Sequence, residues 1–369
     1  MRAGEPQRER HGEAPRAGRR MRGVAGRDGR SLAVALSGLA VVTAVLASTV
    51  LGSAAPAPPA AEGRSSGAGS GHGAVGARAD AERSPALRAA PEPETCADGE
   101  DPAASLKPSA GSGPAVTRIK QRGRLVVGVD QNSYLWGYRD PSTGRIEGFD
   151  IDLVQAIATD LLGPDPDVTY KTIPTDQRVT AVQDGDVDMV VRAMTVNCER
   201  IRQVAFSTAY FEAGQQLVVP KEKARVTGFN ESMRGKRLCV AAGSTAETLM
   251  RSEGYRGLGA KILVVDNQLD CLVRMQLGGT DATLTDSALG AGQAAQDPSV
   301  ELIGEPETIE PYGVAMNRAD EDLVRRVNKV LDDYRDSKWR ASYEKWLADN
   351  MVGTQDGKRP SPPEPKYRD

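Results

Sequence analysis

The sequence holds 369 residues with a formal net charge of −3, enough for one or two domains plus tails. Nine arginines against four acids give residues 1–30 a charge of about +5, which leaves about −8 on the remainder; a modestly acidic folded part argues against nucleic acid, whose phosphates need a concentrated basic face. The two histidines, His11 and His72, fall in segments that do not read as folded, so the globular part lacks the commonest general base and metal ligand. That composition argues against an enzyme, and neither a metal nor a cofactor is expected.

In chain order, the basic start runs into an apolar stretch over residues 32–51, long enough for the roughly 20 residues a bilayer-spanning helix needs. Arginines before it and none soon after place residues 1–30 in the cytoplasm. Residues 31–53 therefore read as a transmembrane anchor or a signal peptide. Under either reading everything downstream is exported. Residues 54–115 are rich in Ala, Gly, Pro and Ser and are expected to form a flexible linker, because they offer too little apolar surface to offset their ordering entropy. The tail over 351–369, with prolines at 360, 362, 363 and 365, reads as disordered for the same reason.

Between these segments strands and helices alternate. A strand over 124–129 precedes a helix over 150–163, with Asp150 as its cap, an apolar stripe from Leu153 to Leu161, and Gly163 as its stop. Strands over 168–173, 187–191 and 216–219 follow, with a short helix over 176–184. A second set begins with a strand at 236–240 and a capping box at Ser244–Glu247. It continues with a strand at 262–265, a helix at 267–277, a strand at 282–285 leading into a helix from Asp286, and a strand at 312–316. Helices over 320–335 and 338–348 close the fold, with Trp339, Tyr343 and Trp346 at helical spacing as core. This alternation predicts an α/β fold of two lobes, each a mainly parallel sheet covered by helices. Four cysteines in an exported chain point to disulfides. Cys239 and Cys271 lie in consecutive strand–helix units and are paired, which leaves Cys96 with Cys198.

The order of segments is similar to a known family. Leu125-Val-Val-Gly-Val-Asp130, Gly148-Phe-Asp-Ile-Asp-Leu153, Asp186-Val-Asp-Met-Val-Val191, Met194-Thr195 through Glu199-Arg200, Phe206-Ser207, Tyr210-Phe211, Gly243-Ser244-Thr245 and Thr285-Asp286 resemble the family 3 (polar amino-acid) substrate-binding proteins of bacterial ABC transporters. The resemblance covers roughly residues 118–350 and is strongest to the glutamate/aspartate/glutamine branch. It implies a two-lobed type II periplasmic-binding-protein fold that closes on its ligand through two crossing strands. These crossings are expected near Gln215–Pro220 and 310–316, giving lobe one as 116–217 plus 313–350 and lobe two as 218–312.

The same resemblance implies the site. Arg200, on a short helix capped by Asn197, is expected to clamp the α-carboxylate of an amino acid, helped by Thr195 and by Thr245 from lobe two. Asp286 takes the α-ammonium. Arg178, seventeen residues before Thr195, and Arg192 bias the side-chain pocket toward glutamate or aspartate. An ion pair of Arg192 with Asp186, Asp188 or Glu212 is the competing explanation for that residue. Asp130 is expected to hydrogen-bond at the ammonium or the backbone, and Tyr134 and Trp136 to line the cleft mouth or pack the lobe. The implied partners are L-glutamate or a related amino acid and an ABC permease with its ATPase, with membrane attachment through residues 32–51, no nucleic acid and a monomeric state. An enzyme of the cyclohexadienyl-dehydratase kind on the same fold and a ligand-sensing ectodomain are the alternatives.

Overall fold

The structure is a computed structural model that describes residues 91–351 and 360–369. The expected anchor or signal at 31–53 and the cytoplasmic segment lie outside the described residues. Among the described residues no helix is long and apolar enough to cross a membrane.

Two five-stranded sheets organise the chain. The first runs in the order Val168–Thr172, Leu125–Val129, Met189–Val190, Ala315–Met316, Ala205–Phe206. Its first three strands are parallel, while Ala315–Met316 runs antiparallel to both neighbours. The second sheet repeats this plan with Lys261–Val265, Arg237–Ala241, Ala282–Asp286, Gln215–Pro220 and Val300–Ile303. There Gln215–Pro220 is the antiparallel strand, paired with Ala282–Asp286 and Val300–Ile303. Phe211–Ala213 and Glu310–Tyr312 form a separate antiparallel ladder between the lobes. The first crossing therefore falls at Phe211–Ala213, earlier than expected. Gln215–Pro220, the more apolar run, is buried inside the sheet of lobe two.

Local chemistry accounts for the helices. Phe149–Leu162 begins at Gly148 rather than at Asp150, and Gly148 makes no side-chain cap. Asp150 instead lies buried in the first turn, where its carboxylate accepts from the Ala193 amide at 2.9 Å and the Tyr210 hydroxyl at 2.8 Å. Burial raises its pKa to about 7. Ser244 caps Thr245–Arg251 by accepting from the Glu247 amide, and Glu247 reaches back to the Gly243 amide. Trp339 and Tyr343 are buried and stack 5.2 Å apart. Trp346 is only partly buried and donates from Nε1 to Asp152.

Both expected disulfides form, Cys96–Cys198 and Cys239–Cys271. The first corrects the expectation of a flexible linker through residue 115. Residues 91–113 are held as a strap, in which Ser105 donates to the Phe206 carbonyl at 2.6 Å and accepts from the fully buried Asn328 amide at 2.9 Å. The tail is corrected in the same way over residues 360–369. Ser105 and Tyr367 form a parallel bridge, Tyr367 donates to Asp332 at 2.8 Å, and Arg335 donates to the Pro363 carbonyl at 3.2 Å. Neither segment buries much apolar surface. A covalent link and backbone hydrogen bonds order them, and composition does not report those.

Candidate functional site

The charged residues named above converge where the two lobes meet. Arg200 sits on the four-residue helix Cys198–Ile201, whose cap Asn197 accepts from the Arg200 amide at 2.9 Å. Its buried guanidinium donates to the Thr195 carbonyl at 2.8 Å and, across the cleft, to the Gly243 carbonyl at 3.1 Å. Arg178 opens the helix Arg178–Gln183 and is also buried. It donates to the carbonyls of Thr175 at 2.7 Å, Arg192 at 3.4 Å and Gly243 at 3.5 Å. Among the described residues neither arginine has a carboxylate ion-pair partner; their donors end on neutral carbonyl oxygens. Burial, with the Arg200 and Arg192 charges next, pulls the Arg178 pKa well below its usual value, and burial lowers Arg200 as well.

Arg192 is different. It pairs with Asp130 at 3.0 Å, not with Asp186, Asp188 or Glu212, and donates to Asn267 of lobe two at 3.0 Å. Asp130 also accepts from the amides of Gln131 and Asn132 and from the Ser133 hydroxyl, so its expected backbone role is present alongside the ion pair. Ala193, next to Arg192, has φ +40°, an unusual backbone for a residue with a Cβ. Its amide is pinned by Asp150, which fixes the turn that carries Arg192 and Thr195.

Asp286 ends the strand Ala282–Asp286 and precedes the helix Ser287–Gln296, but its side chain makes no cap. Both oxygens face inward instead: one accepts from Gln215 Nε2 and the other from the Tyr312 hydroxyl at 2.6 Å. Burial raises its pKa against the opposing pull of Tyr312, Arg178, Gln215 and Arg200. The Thr245 hydroxyl accepts from the same Gln215 amide at 3.0 Å, so Gln215 joins the two lobe-two groups. Glu310, at the second crossing, accepts from the Thr308 hydroxyl at 2.9 Å. Burial and then the Asp286 charge push it up to about 7.

Of the two aromatic residues, Trp136 takes the packing role. Trp136 is 1% exposed, lies within 5.6 Å of Phe149, Phe211 and Tyr312, and donates from Nε1 to the Ala288 carbonyl at 3.1 Å. It is a packing residue across the lobe boundary rather than part of the mouth. Tyr134 is half-buried and meets Tyr138 edge-on at 5.0 Å. Gln215, Tyr312, Asn267 and Glu310 were not singled out from the sequence. Each lies in or beside a strand or turn whose role depends on which crossing it serves, and no local motif marks that.

Lobe contact also depends on Gly243. Its φ is +64°, and a Cβ there would come within 2.8 Å of the Asp176 Cα in the opposite lobe. Nearby the Thr175 hydroxyl donates to Gln268 at 3.2 Å.

Two α/β lobes on a pair of crossing strands, with charged groups converging between them, define a two-lobed solute-capture protein. The chain belongs to the bacterial extracellular solute-binding proteins, family 3, whose pattern matches residues 125–349. It is 33% identical over 233 residues to an ABC transporter glutamine-binding protein of Bacillus subtilis, covering 63% of this chain and 84% of that one. It is 28% identical to an L-glutamate/L-aspartate-binding protein of Pseudomonas aeruginosa, covering 62% and 78%. Among solved structures, an ancestral arginine-binding protein bound to arginine matches with TM-score 0.57 at 35% identity, covering 62% of this chain and 99% of that one. These relatives are binding proteins rather than enzymes.

Proposed function

We propose that this protein captures glutamate, or its close relatives aspartate and glutamine, by lobe closure outside the membrane and delivers it to an ABC importer. Tethering through residues 32–51, a monomeric state and lobes meeting near residues 214 and 310 belong to the same reading. The observation that carries it is the unequal state of the three buried arginines. Arg192 is already neutralised by Asp130, whereas Arg178 and Arg200 end on carbonyls. A buried guanidinium facing only dipoles is a poor final state, and a carboxylate is its best partner. Two such cations opposite Asp286, with the neighbouring Glu310 pushed toward its neutral form, match a ligand with two carboxylates and one ammonium. In this arrangement Arg200 takes the α-carboxylate, Asp286 the α-ammonium and Arg178 the side-chain carboxylate. Arg192 holds the lobes together through Asn267 without touching the ligand. The relatives named for glutamine and for glutamate/aspartate support the amino-acid class.

Calorimetry with glutamate, aspartate and glutamine tests this. Glutamate is expected to bind more tightly than glutamine. Arg178→Gln should cost glutamate about 1.5–3 kcal/mol while leaving glutamine nearly unaffected. Arg192→Gln should weaken both ligands alike. A wild-type preference for glutamine, or an Arg178→Gln variant that keeps full glutamate affinity, would sink the acidic assignment.

A further inference from the structure

Beside the crossing strands lies a cavity of about 510 Å³ that none of Arg178, Arg192 and Arg200 lines. Its volume falls within the roughly 300–1,000 Å³ of small-molecule sites. Four parts of the chain wall it: the strap at 91–94 and 101–103, lobe one at 195–197, 209 and 212, the tail at 363–366, and the segments 245–252 and 307–311 of lobe two and the second crossing. It reaches Thr195 and Thr245, so it abuts the α-group end of the cleft.

The wall has two chemistries. Val196, Leu249, Ile309 and Pro311 supply apolar surface. Glu92, Glu94, Asp101, Glu212, Glu310 and Glu364 supply carboxylates, against which Lys366 is the one base among the described lining residues. Lys366 is itself engaged by Asp101 at 2.8 Å. One acid stands apart from the solvated rest. Glu310 is 4% exposed, and its Oε2 has no hydrogen-bond partner although Oε1 is satisfied by Thr308. A buried carboxylate oxygen without a donor forfeits its solvation with nothing in return, so a site that presents one in its wall is suited to a donor from outside. A metal ion is a poor fit, because among the described residues no group of three or more His, Cys, Asp or Glu is placed to hold one.

We propose that this hinge cavity is a second ligand site, adjoining the amino-acid cleft at Thr195 and Thr245, that takes an aliphatic diamine or a similar organic cation. The methylene stem lies on Leu249, Ile309 and Pro311. One ammonium head donates to Glu310 Oε2, and the other meets the outer acids Glu212 and Glu364. Because strap and tail form part of the wall, the site exists only in a chain that carries both segments.

Cadaverine titrated calorimetrically into the full chain tests the proposal, with 1,5-pentanediol as the uncharged control of equal stem. Saturable binding of cadaverine in the submillimolar range is expected, with none by the diol. The double variant Glu212→Gln/Glu364→Gln lies on exposed surface and should fold normally. It is expected to lose cadaverine affinity by roughly tenfold while glutamate binding is unchanged. Glu310→Gln should weaken cadaverine more than the outer pair does. Absence of saturable cadaverine heat at millimolar concentration overturns the proposal. So does cadaverine binding that the outer double variant leaves untouched and that glutamate displaces one for one, since that places the amine in the cleft.

Discussion

The two lobes share a sheet plan but divide the work unequally. Lobe one carries all three buried arginines of the site and packs an aromatic core, with Trp136, Phe149, Tyr210 and Trp339 almost fully buried. Lobe two is built mainly from aliphatic clusters and contributes the Asp286 carboxylate, the Thr245 hydroxyl and the Gly243 carbonyl. Repulsion among buried guanidiniums is tolerable only on a rigid base, and the aromatic core with the pinned turn at Ala193 supplies one. On the proposed function, the preorganised half holds the charge that would select the ligand, and the opposite half brings the counter-charge and the contacts that would register closure.

The strongest way to break this division is to remove the counter-charge. Asp286→Asn is expected to weaken glutamate binding by about 2–5 kcal/mol, a factor of roughly 30 to 5,000, since it strips one partner from a buried pair. Calorimetry reads it directly, and retained affinity would show that the ammonium sits elsewhere. The disulfides sharpen the contrast next. Cys96–Cys198 closes a separation of 102 residues and Cys239–Cys271 one of 32. Loss of a native disulfide costs about 2–5 kcal/mol, and chain entropy makes the longer loop about 1 kcal/mol more valuable. Thermal unfolding of the Cys96→Ser/Cys198→Ser and Cys239→Ser/Cys271→Ser variants should therefore show the larger drop in Tm for the first pair. The reverse order would mean that the strap holds without its covalent link.

Closure itself is tested at Gly243. Gly243→Ala places a Cβ where the Asp176 Cα already stands, at 2.8 Å, on a backbone with φ +64°. The overlap should cost closure about 1–3 kcal/mol. Small-angle scattering with saturating glutamate should then give a larger radius of gyration than the parent protein, and an unchanged radius would deny the close approach its role.

The smallest effect expected is on pH dependence. Asp150 and Glu310 both have folded pKa values raised to about 7, from ordinary values of 3.8 and 4.5. As pH climbs between the unfolded and folded values, the unfolded chain releases these protons first, so it binds fewer protons than the native state. Stability contributed by the two acids is then present below about pH 4 and is lost as pH rises toward 7. The ligand-free protein should melt a few degrees lower at pH 7.5 than at pH 5.5, with Asp150→Asn flattening the slope. A midpoint that rises over that range would contradict the assignment.

Much of this architecture is written in short-range pattern. The strand at Leu125–Val129, the helix ended by Gly163 and the capping role of Asn197 are readable because apolar spacing and capping chemistry act within a few residues. Arg200 donates to the Thr195 carbonyl and its charge acts on Asp286. What escapes the sequence depends on distant partners. Asp150 looks like a helix cap until Tyr210 and Ala193 claim its oxygens. The first crossing is three residues with an acid at its centre, Phe211–Ala213, so the longer apolar run beside it draws the assignment. Trp136 reads as either cleft lining or lobe packing because nothing local reveals Ala288 waiting across the boundary. Strap and tail read as disordered because their order comes from one disulfide and from hydrogen bonds to residues far away in the chain.

That bridge has a mechanical consequence. The strap and tail bonds described above, to Phe206, Asn328, Asp332 and Arg335, all bolt onto lobe one. A pull transmitted along either segment is borne first by the arginine-bearing half, and reaches the half carrying Asp286 through the crossing strands and cross-cleft bonds such as those to Gly243 and Asn267. Were the chain tethered through residues 32–51 as proposed, tension on it would load the arginine-bearing half, the post of a gate, and not its leaf, and so would not oppose closure.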